Sequence, residues 1–263
     1  MSELATLYRH RQLIATLTAR DLKARYRGSI LGFFWSLANP LLLLGVYTIV
    51  FTKFFPTQVV TPYPLFLFSG ILPWTFFSAA ILESTGSISS NAGLIKKVMF
   101  PAEALPLVVV FSHLVHFALA VPILIAAVLG FAALGKFTLS ATMLIAPVLM
   151  LMQTLFVAGV ALAVSSASVL FRDLRDIITN VMQLGFFVTP IIYLIDNVQS
   201  RTLRAMLRLN PMTSFVVAYQ DVLFFGRLPN LSDTILIVAW SAASLILGFF
   251  VFERLRDTLA EAI

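Results

Sequence analysis

The chain has 263 residues, of which 60% are hydrophobic and 11% charged, with 18 Lys and Arg against 12 Asp and Glu and no cysteine. Soluble domains carry about 45–50% apolar and roughly 25% charged residues, so a single water-soluble core, a disordered chain and a disulfide scaffold are all excluded. The net charge of +6 lies between long apolar stretches, which favours anionic lipid head groups over nucleic acid as its counterpart.

Residues 1–27 carry Arg9, Arg11, Arg20, Lys23, Arg25 and Arg27 together with Leu4, Leu7, Tyr8, Ile14 and Leu17 at helical spacing. This reads as an amphipathic helix in the head-group plane. Stretches free of Asp, Glu, Lys and Arg then run over 28–52, 54–82, 104–135, 137–171, 177–195 and 234–252. Each approaches or exceeds the roughly 20 residues that a helix needs to cross a bilayer, and none alternates as barrel strands do. The expected fold is an all-α integral membrane protein with six spans (28–252) and a tail at 253–263. The connections rich in Lys and Arg, including Lys96, Lys97, Arg172, Arg175, Arg254 and Arg256, fall on one side, which places both termini in the cytoplasm. No cleavable signal peptide is expected in so basic a leader.

The connection from Glu83 to Pro101 passes from small polar residues to Leu94-Ile95-Lys96-Lys97-Val98-Met99-Phe100-Pro101. A short cytoplasmic helix there would present Leu94, Ile95, Val98 and Met99 to a groove on another protein, and Pro101 would stop it. Residues 196–233 form a long external segment with Arg201, Arg204 and Arg208 at helical spacing. Asn210-Pro211 breaks it before a second apolar helix near Phe215–Phe225. Two short helices dipping back from the outer surface fit this pattern.

Three features invite a site assignment. Gly130 to Phe137 nearly matches a phosphate-binding loop, but Phe137 replaces the magnesium-holding Ser or Thr and no strand precedes it, so no nucleotide site is expected. His113 and His116, three apart with no nearby Asp or Glu in sequence, read as packing or channel-lining residues rather than a metal site. Glu83 stands at the inner end of its span, where its head can reach water. The aromatic clusters at Phe33-Phe34-Trp35, Trp74 with Phe76-Phe77, and Phe186-Phe187 with Tyr193 read mainly as lipid-facing packing and interfacial belt. The first and fifth spans hold more polar residues than a lipid-facing helix needs. Trp35, Ser36, Asn39, Asn180, Gln183 and Tyr193, with Thr179, are therefore the candidates for the wall of a hydrated path.

The runs Arg25-Tyr26-Arg27-Gly28-Ser29-Ile30-Leu31-Gly32-Phe33-Phe34-Trp35 with Asn39-Pro40, Leu94-Ile95-Lys96-Lys97 with Phe100-Pro101, Phe171 to Ile177, Thr189-Pro190-Ile191-Ile192-Tyr193 and Asn210-Pro211-Met212 together resemble ABC-2-type permeases that export polysaccharides. The likeness is closest to O-antigen exporter permeases (the Wzm type), with teichoic-acid and capsule exporters more distant. It covers about Leu13 to Arg256, so residues 1–263 read as a single transmembrane domain. The resemblance implies a homodimer in the inner (cytoplasmic) membrane, bound to two copies of a separate ATPase subunit that holds ATP and magnesium. This chain itself would have no catalytic residue, metal or cofactor. ATPase coupling would fall to the helix at 1–27, including Arg20 and Arg25, and to the segment around 91–100. An inner-end motif would comprise Arg172, Asp173, Arg175 and Asp176, each acid standing beside an arginine. The external gate would include Arg201, Arg204, Asn210 and Pro211. The cargo would be a lipid-linked polysaccharide carried from the cytoplasmic to the outer face, its path lying between two copies. An ABC-2 exporter of drugs or lipids shares the six-span plan, and an enzyme acting on lipid-linked sugar would need clustered acids at one membrane face.

Overall fold

The computed structural model describes residues 11–27, 34–50, 54, 60–93, 101–171 and 173–262, with the backbone alone described at 26, 36, 37, 39, 257 and 259–262. Its principal helices are α1 (Arg11–Tyr26), α2 (Trp35–Ile49), α3 (Tyr63–Ser87), α4 (Ala104–Ala133), α5 (Ala146–Leu170), α6 (Leu174–Val188), α7 (Arg201–Leu209), α8 (Pro211–Gln220) and α9 (Leu231–Ala262). Among the described residues there is no strand. Four stretches are long and apolar enough to cross a membrane: Tyr63–Ser87, Ala104–Ala133, Ala141–Leu170 and Leu231–Arg256.

The expected fifth span is shorter, and residues 28–33 and 51–52 of the expected first span lie outside the description. Helix α2 has 15 described residues, and α6 also has 15, about 22 Å at 1.5 Å per residue. Helix α6 stops because Pro190 disfavours helical backbone at Thr189, which adopts an extended conformation. The Thr189 hydroxyl closes the end by donating to the Gly185 carbonyl at 2.8 Å. The charge-free run extends this span to residue 195; the proline ends the helix sooner.

The segment 196–233 forms two short helices, as its break at Asn210-Pro211 implies. Ser200 caps α7 and Asn210 caps α8, their side-chain oxygens accepting from the Leu203 and Met212 amides at 3.3 and 3.0 Å. Pro211 follows at the first helical position, where no amide hydrogen is needed. Helix α8 is buried throughout, from Met212 to Gln220.

At the other tempting glycine run, α4 ends in a Schellman turn. Gly135 has φ +66°, its amide donates to Ala132 O at 2.9 Å, and the Lys136 amide donates to Phe131 O at 3.0 Å. The run from Gly130 is thus a helix terminus.

Helix α3 runs through the core, with Phe66, Leu67 and Phe68 fully buried. Many phenylalanines pack inside rather than facing lipid: Phe76 stacks on Phe117 at 5.5 Å, Phe77 on Phe156 at 5.7 Å, and Phe156 meets Phe215 at 5.4 Å between ring centroids. Helices α5 and α9 approach so closely that a Cβ added to Gly159 would lie 2.2 Å from the Ser244 carbonyl, and one added to Gly248 would lie 2.1 Å from Gly159 O. In lipid, small residues at a crossing let two backbones meet and pack. Nearby, the Ser241 hydroxyl donates across the crossing to Met152 O at 2.9 Å.

Candidate functional site

Helix α1 does not lie apart from the bundle. Ile14, Leu17 and Thr18 are buried, and Ile14 and Leu17 join the main core. Its C-terminal turn is held by charge. Arg25 Nε donates to Asp21 Oδ2 at 2.8 Å, Arg25 Nη1 donates to Glu83 Oε2 at 2.8 Å, and Nη2 reaches Glu83 Oε1. His113 Nε2 lies 2.8 Å from Glu83 Oε2. One carboxylate therefore ties α1, α3 and α4 together. Burial alone would lower the Arg25 pKa, but the hydrogen bonds and charges of Glu83 and Asp21 outweigh it and hold the guanidinium above its ordinary value. Glu83 reaches water as its position implies, with 38% of its side chain exposed, and is also engaged by two partners. The acid that sequence spacing did not place near His113 is supplied by the neighbouring helix. Among the described residues no group of three His, Cys, Asp or Glu is placed to hold a metal.

Beside this cluster is a cavity of about 450 Å³ between α1, α3, α4 and α6, lined by Arg20, Asp21, Glu83, Ser90, Asn91 and Arg175 among others. Asp173 and Asp176 are exposed and form no ion pair among the described residues. Neither pairs with Arg175, the described arginine of the motif. Arg172 and the whole of Leu94 to Phe100, including Ile95, Lys96, Lys97 and Val98, lie outside the described residues. Pro101 is described, and its carbonyl accepts from the Ala104 amide at 3.0 Å in the turn that opens α4.

The wall candidates separate. Thr179 and Gln183 line a groove of about 520 Å³ with Tyr47, Trp74, Thr75, Ser78, Phe186 and Phe187. Tyr47 stacks on Phe186 at 5.8 Å, and Phe186 meets the edge of Trp74 at 6.2 Å. Aromatic faces and short polar side chains share one surface there, suited to the apolar C–H faces and hydroxyls of a sugar polymer. Asn180 is exposed on the same helix. Trp35 lies elsewhere, in a cavity of about 170 Å³ with Thr75, His113 and His116. Tyr193 stands beyond the end of α6, its hydroxyl donating to Val188 O at 2.9 Å. The structure does not bring Trp35 and Tyr193 together, and the side chains of Ser36 and Asn39 lie outside the description. Tyr47 and Trp74 were not chosen from sequence as wall residues; the usable signal was the polar pair Thr75 and Ser78 beside Trp74 within an apolar run.

At the other end, Arg204 Nη2 donates to Asp196 O at 3.0 Å and Val198 O at 2.8 Å, so it holds the turn before α7. Arg201 is exposed. Asn210 Nδ2 donates to Thr189 Oγ1 at 2.9 Å, and Gln220 Nε2 donates to Pro190 O at 2.8 Å, which fastens α8 to the end of α6.

Residues 12–224 match the family model described as ABC-2 type transporter. The chain is 38% identical over 258 residues to the O-antigen export system permease protein RfbA of Myxococcus xanthus, covering 98% of this chain and 97% of that protein. It is 29% identical over 249 residues to the protein of the same name from Klebsiella pneumoniae, covering 95% and 94%. A shorter match, 29% over 85 residues and 31% of this chain, is to the polysialic acid transport protein KpsM of Escherichia coli. With long apolar helices, a match over most of its length and full-length relatives of one kind, this chain belongs to the ABC-2 type transporter family.

Proposed function

We propose that this chain is the membrane-spanning permease subunit of an ATP-driven exporter that moves a lipid-linked, O-antigen-like polysaccharide from the cytoplasmic to the outer face of the inner membrane. The observation that carries this reading is the end-to-end match to a permease named for O-antigen export, which leaves 2% of this chain uncovered. In this reading the four long helices are joined by α2 and α6 as the remaining crossings, and the Lys- and Arg-rich connections support cytoplasmic termini. Helices α7 and α8 are re-entrant from the outer side and form the gate. Two copies assemble with two copies of an ATPase subunit, which supplies ATP binding and hydrolysis, while α1 and residues 91–100 receive the motion. The groove formed by α2, α3 and α6 supplies part of the polymer's path, with stacking on Tyr47 and Phe187 and exchangeable hydrogen bonds from Thr179 and Gln183.

The test is deletion of the gene followed by complementation. Loss of surface polysaccharide with accumulation of lipid-linked polymer inside, both reversed by the intact chain, is expected. Unchanged surface glycan together with reduced efflux of small amphiphiles would replace this reading with that of a drug or lipid exporter.

A further inference from the structure

Another cavity, of about 310 Å³, lies between the C-terminal half of α4, the start of α5, and α3 and α8. Among the described residues its wall is apolar apart from two hydroxyls, those of Ser69 and Tyr219. The Ser69 hydroxyl is engaged, donating to Phe66 O at 2.7 Å. Tyr219 is 1% exposed, and its ring meets Phe117 edge to face at 5.9 Å between centroids. Its hydroxyl is buried and has no hydrogen-bond partner among the described residues. Ile125, Leu129 and Leu144 line the same cavity and are exposed. All three belong to stretches long and apolar enough to cross a membrane, so this side of the cavity faces hydrocarbon.

We propose that this cavity binds a neutral, mostly hydrocarbon small molecule carrying one hydrogen-bond acceptor, which the Tyr219 hydroxyl meets. A buried hydroxyl without a partner bears the full penalty of its lost hydration. Water does not relieve it, because a buried water needs roughly two to four polar partners and Tyr219 offers the one free side-chain group. A cavity lined in this way stays dry and takes apolar guests. A charged ligand is excluded as well, since no Asp, Glu, Lys, Arg or His lines the wall to balance it. A ketone or ether oxygen on an apolar frame satisfies both the hydroxyl and the wall. The volume falls at the lower end of the usual range of small-ligand sites, roughly 300–1,000 Å³. A plain acyl chain would fill the space but leave Tyr219 unpaired. Because Tyr219 belongs to α8 and Phe117 to α4, an occupant would lie against both helices. Only its bearing on export, through the gate role of α8, rests on the function proposed above.

The experiment uses the full chain in nanodiscs of zwitterionic lipid, with benzophenone as the probe. It is a neutral aromatic ketone that, on irradiation, bonds covalently to nearby C–H groups. Peptide mass spectrometry locates the adducts, which should fall on Met143 and Met150, two lining residues, and be displaced by excess fluorenone. Fluorenone is then compared as a competitor with fluorene, which has nearly the same shape and no acceptor. In the parent, fluorenone should compete about fivefold better, as for one neutral hydrogen bond, and in Tyr219→Phe that advantage should vanish. Measuring the same two competitors in both proteins cancels their different partition into lipid. Tyr219→Phe keeps the ring and removes a hydroxyl that bonds to no described residue, so its melting temperature should not fall. Val128→Phe, which narrows the cavity from α4, should reduce the adducts at Met143 and Met150. A fluorenone advantage that persists in Tyr219→Phe overturns the proposal. So do equal competition by both compounds in the parent, which marks a seat for plain hydrocarbon, and adducts confined to exposed positions such as Ile246 and Leu247. Because the readout is binding by the isolated chain, its outcome is separate from whether the chain exports a glycan.

Discussion

The α5–α9 crossing makes a sharp stability prediction. In Gly159→Ala the new methyl would stand 2.2 Å from the Ser244 carbonyl carbon and oxygen and 2.5 Å from the Leu245 amide nitrogen. These are backbone atoms, so no side-chain rotation can relieve the clash. The helices must separate by roughly 1 Å to restore ordinary contact, and a gap of that size forfeits about a quarter to a half of each contact well of ~0.1–0.2 kcal/mol. Over the several tens of atom pairs at such a crossing, the loss is on the order of 1–3 kcal/mol, in line with overpacking elsewhere. Weakening of the Ser241 to Met152 hydrogen bond would add about 0.6 kcal/mol, so Gly159→Ala and Gly248→Ala should each cost about 2–4 kcal/mol. The controls are Gly45→Ala and Gly130→Ala, where nothing lies within 4 Å of the added carbon. These should be neutral or slightly stabilising, since alanine loses less chain entropy in a helix than glycine. Reversible unfolding in mixed micelles, followed by near-UV circular dichroism, would measure all four. If the two crossing variants unfold together with the controls, the close approach of α5 and α9 is wrong.

Asn210→Ala removes both the α8 cap and the bond to Thr189, and should cost about 1–3 kcal/mol in the same assay; Asn210→Asp, which keeps the cap acceptor, should recover part of it. Glu83→Ala leaves Arg25 and His113 without their shared acceptor. Because Glu83 is 38% exposed, the expected loss is about 1–2 kcal/mol, with faster proteolysis at α1, and a Glu83→Ala protein as protease-resistant as the parent would contradict the strut. In a chain without cysteine, Ser200→Cys should react with an impermeant maleimide from outside intact cells and Ser90→Cys should not; labelling at position 90 would overturn the topology. Replacing Leu94 and Val98 together by Asp should permit membrane insertion but abolish co-purification of the ATPase and export, because two charges would enter an apolar groove, and normal export by that variant would remove the coupling assignment.

What the sequence makes legible is whatever a local rule determines. The length of an apolar run marks the four long helices, Asn210-Pro211 marks the start of α8, and the charged leader marks α1. Local rules fail where a distant partner decides. The run at 177–195 has the composition of a full span, yet Thr189 and Pro190 end the helix and turn the chain back towards α8, where Asn210 and Gln220 hold it. Composition measures lipid compatibility, whereas the backbone follows its hydrogen bonds.

The same distinction explains the site. Helical spacing can show that His113 and His116 share a face, and their rings do lie 5.8 Å apart. Spacing cannot show that Glu83, thirty residues earlier, meets that face, or that Arg25, a further fifty-eight residues before Glu83, closes the triad. Nor can it distinguish a phenylalanine facing lipid from one facing the core, because both environments are apolar and neither leaves a polar mark on its neighbours. In water the burial of Phe66 or Phe215 would show as a stripe against a charged opposite face; in a membrane that contrast disappears. The informative residues in such a chain are therefore the few polar or very small ones inside apolar runs. Glu83, Gly159, Ser241 and Gln183 each occupy a place that lipid would not favour, and in the structure each meets a partner helix or lines the groove.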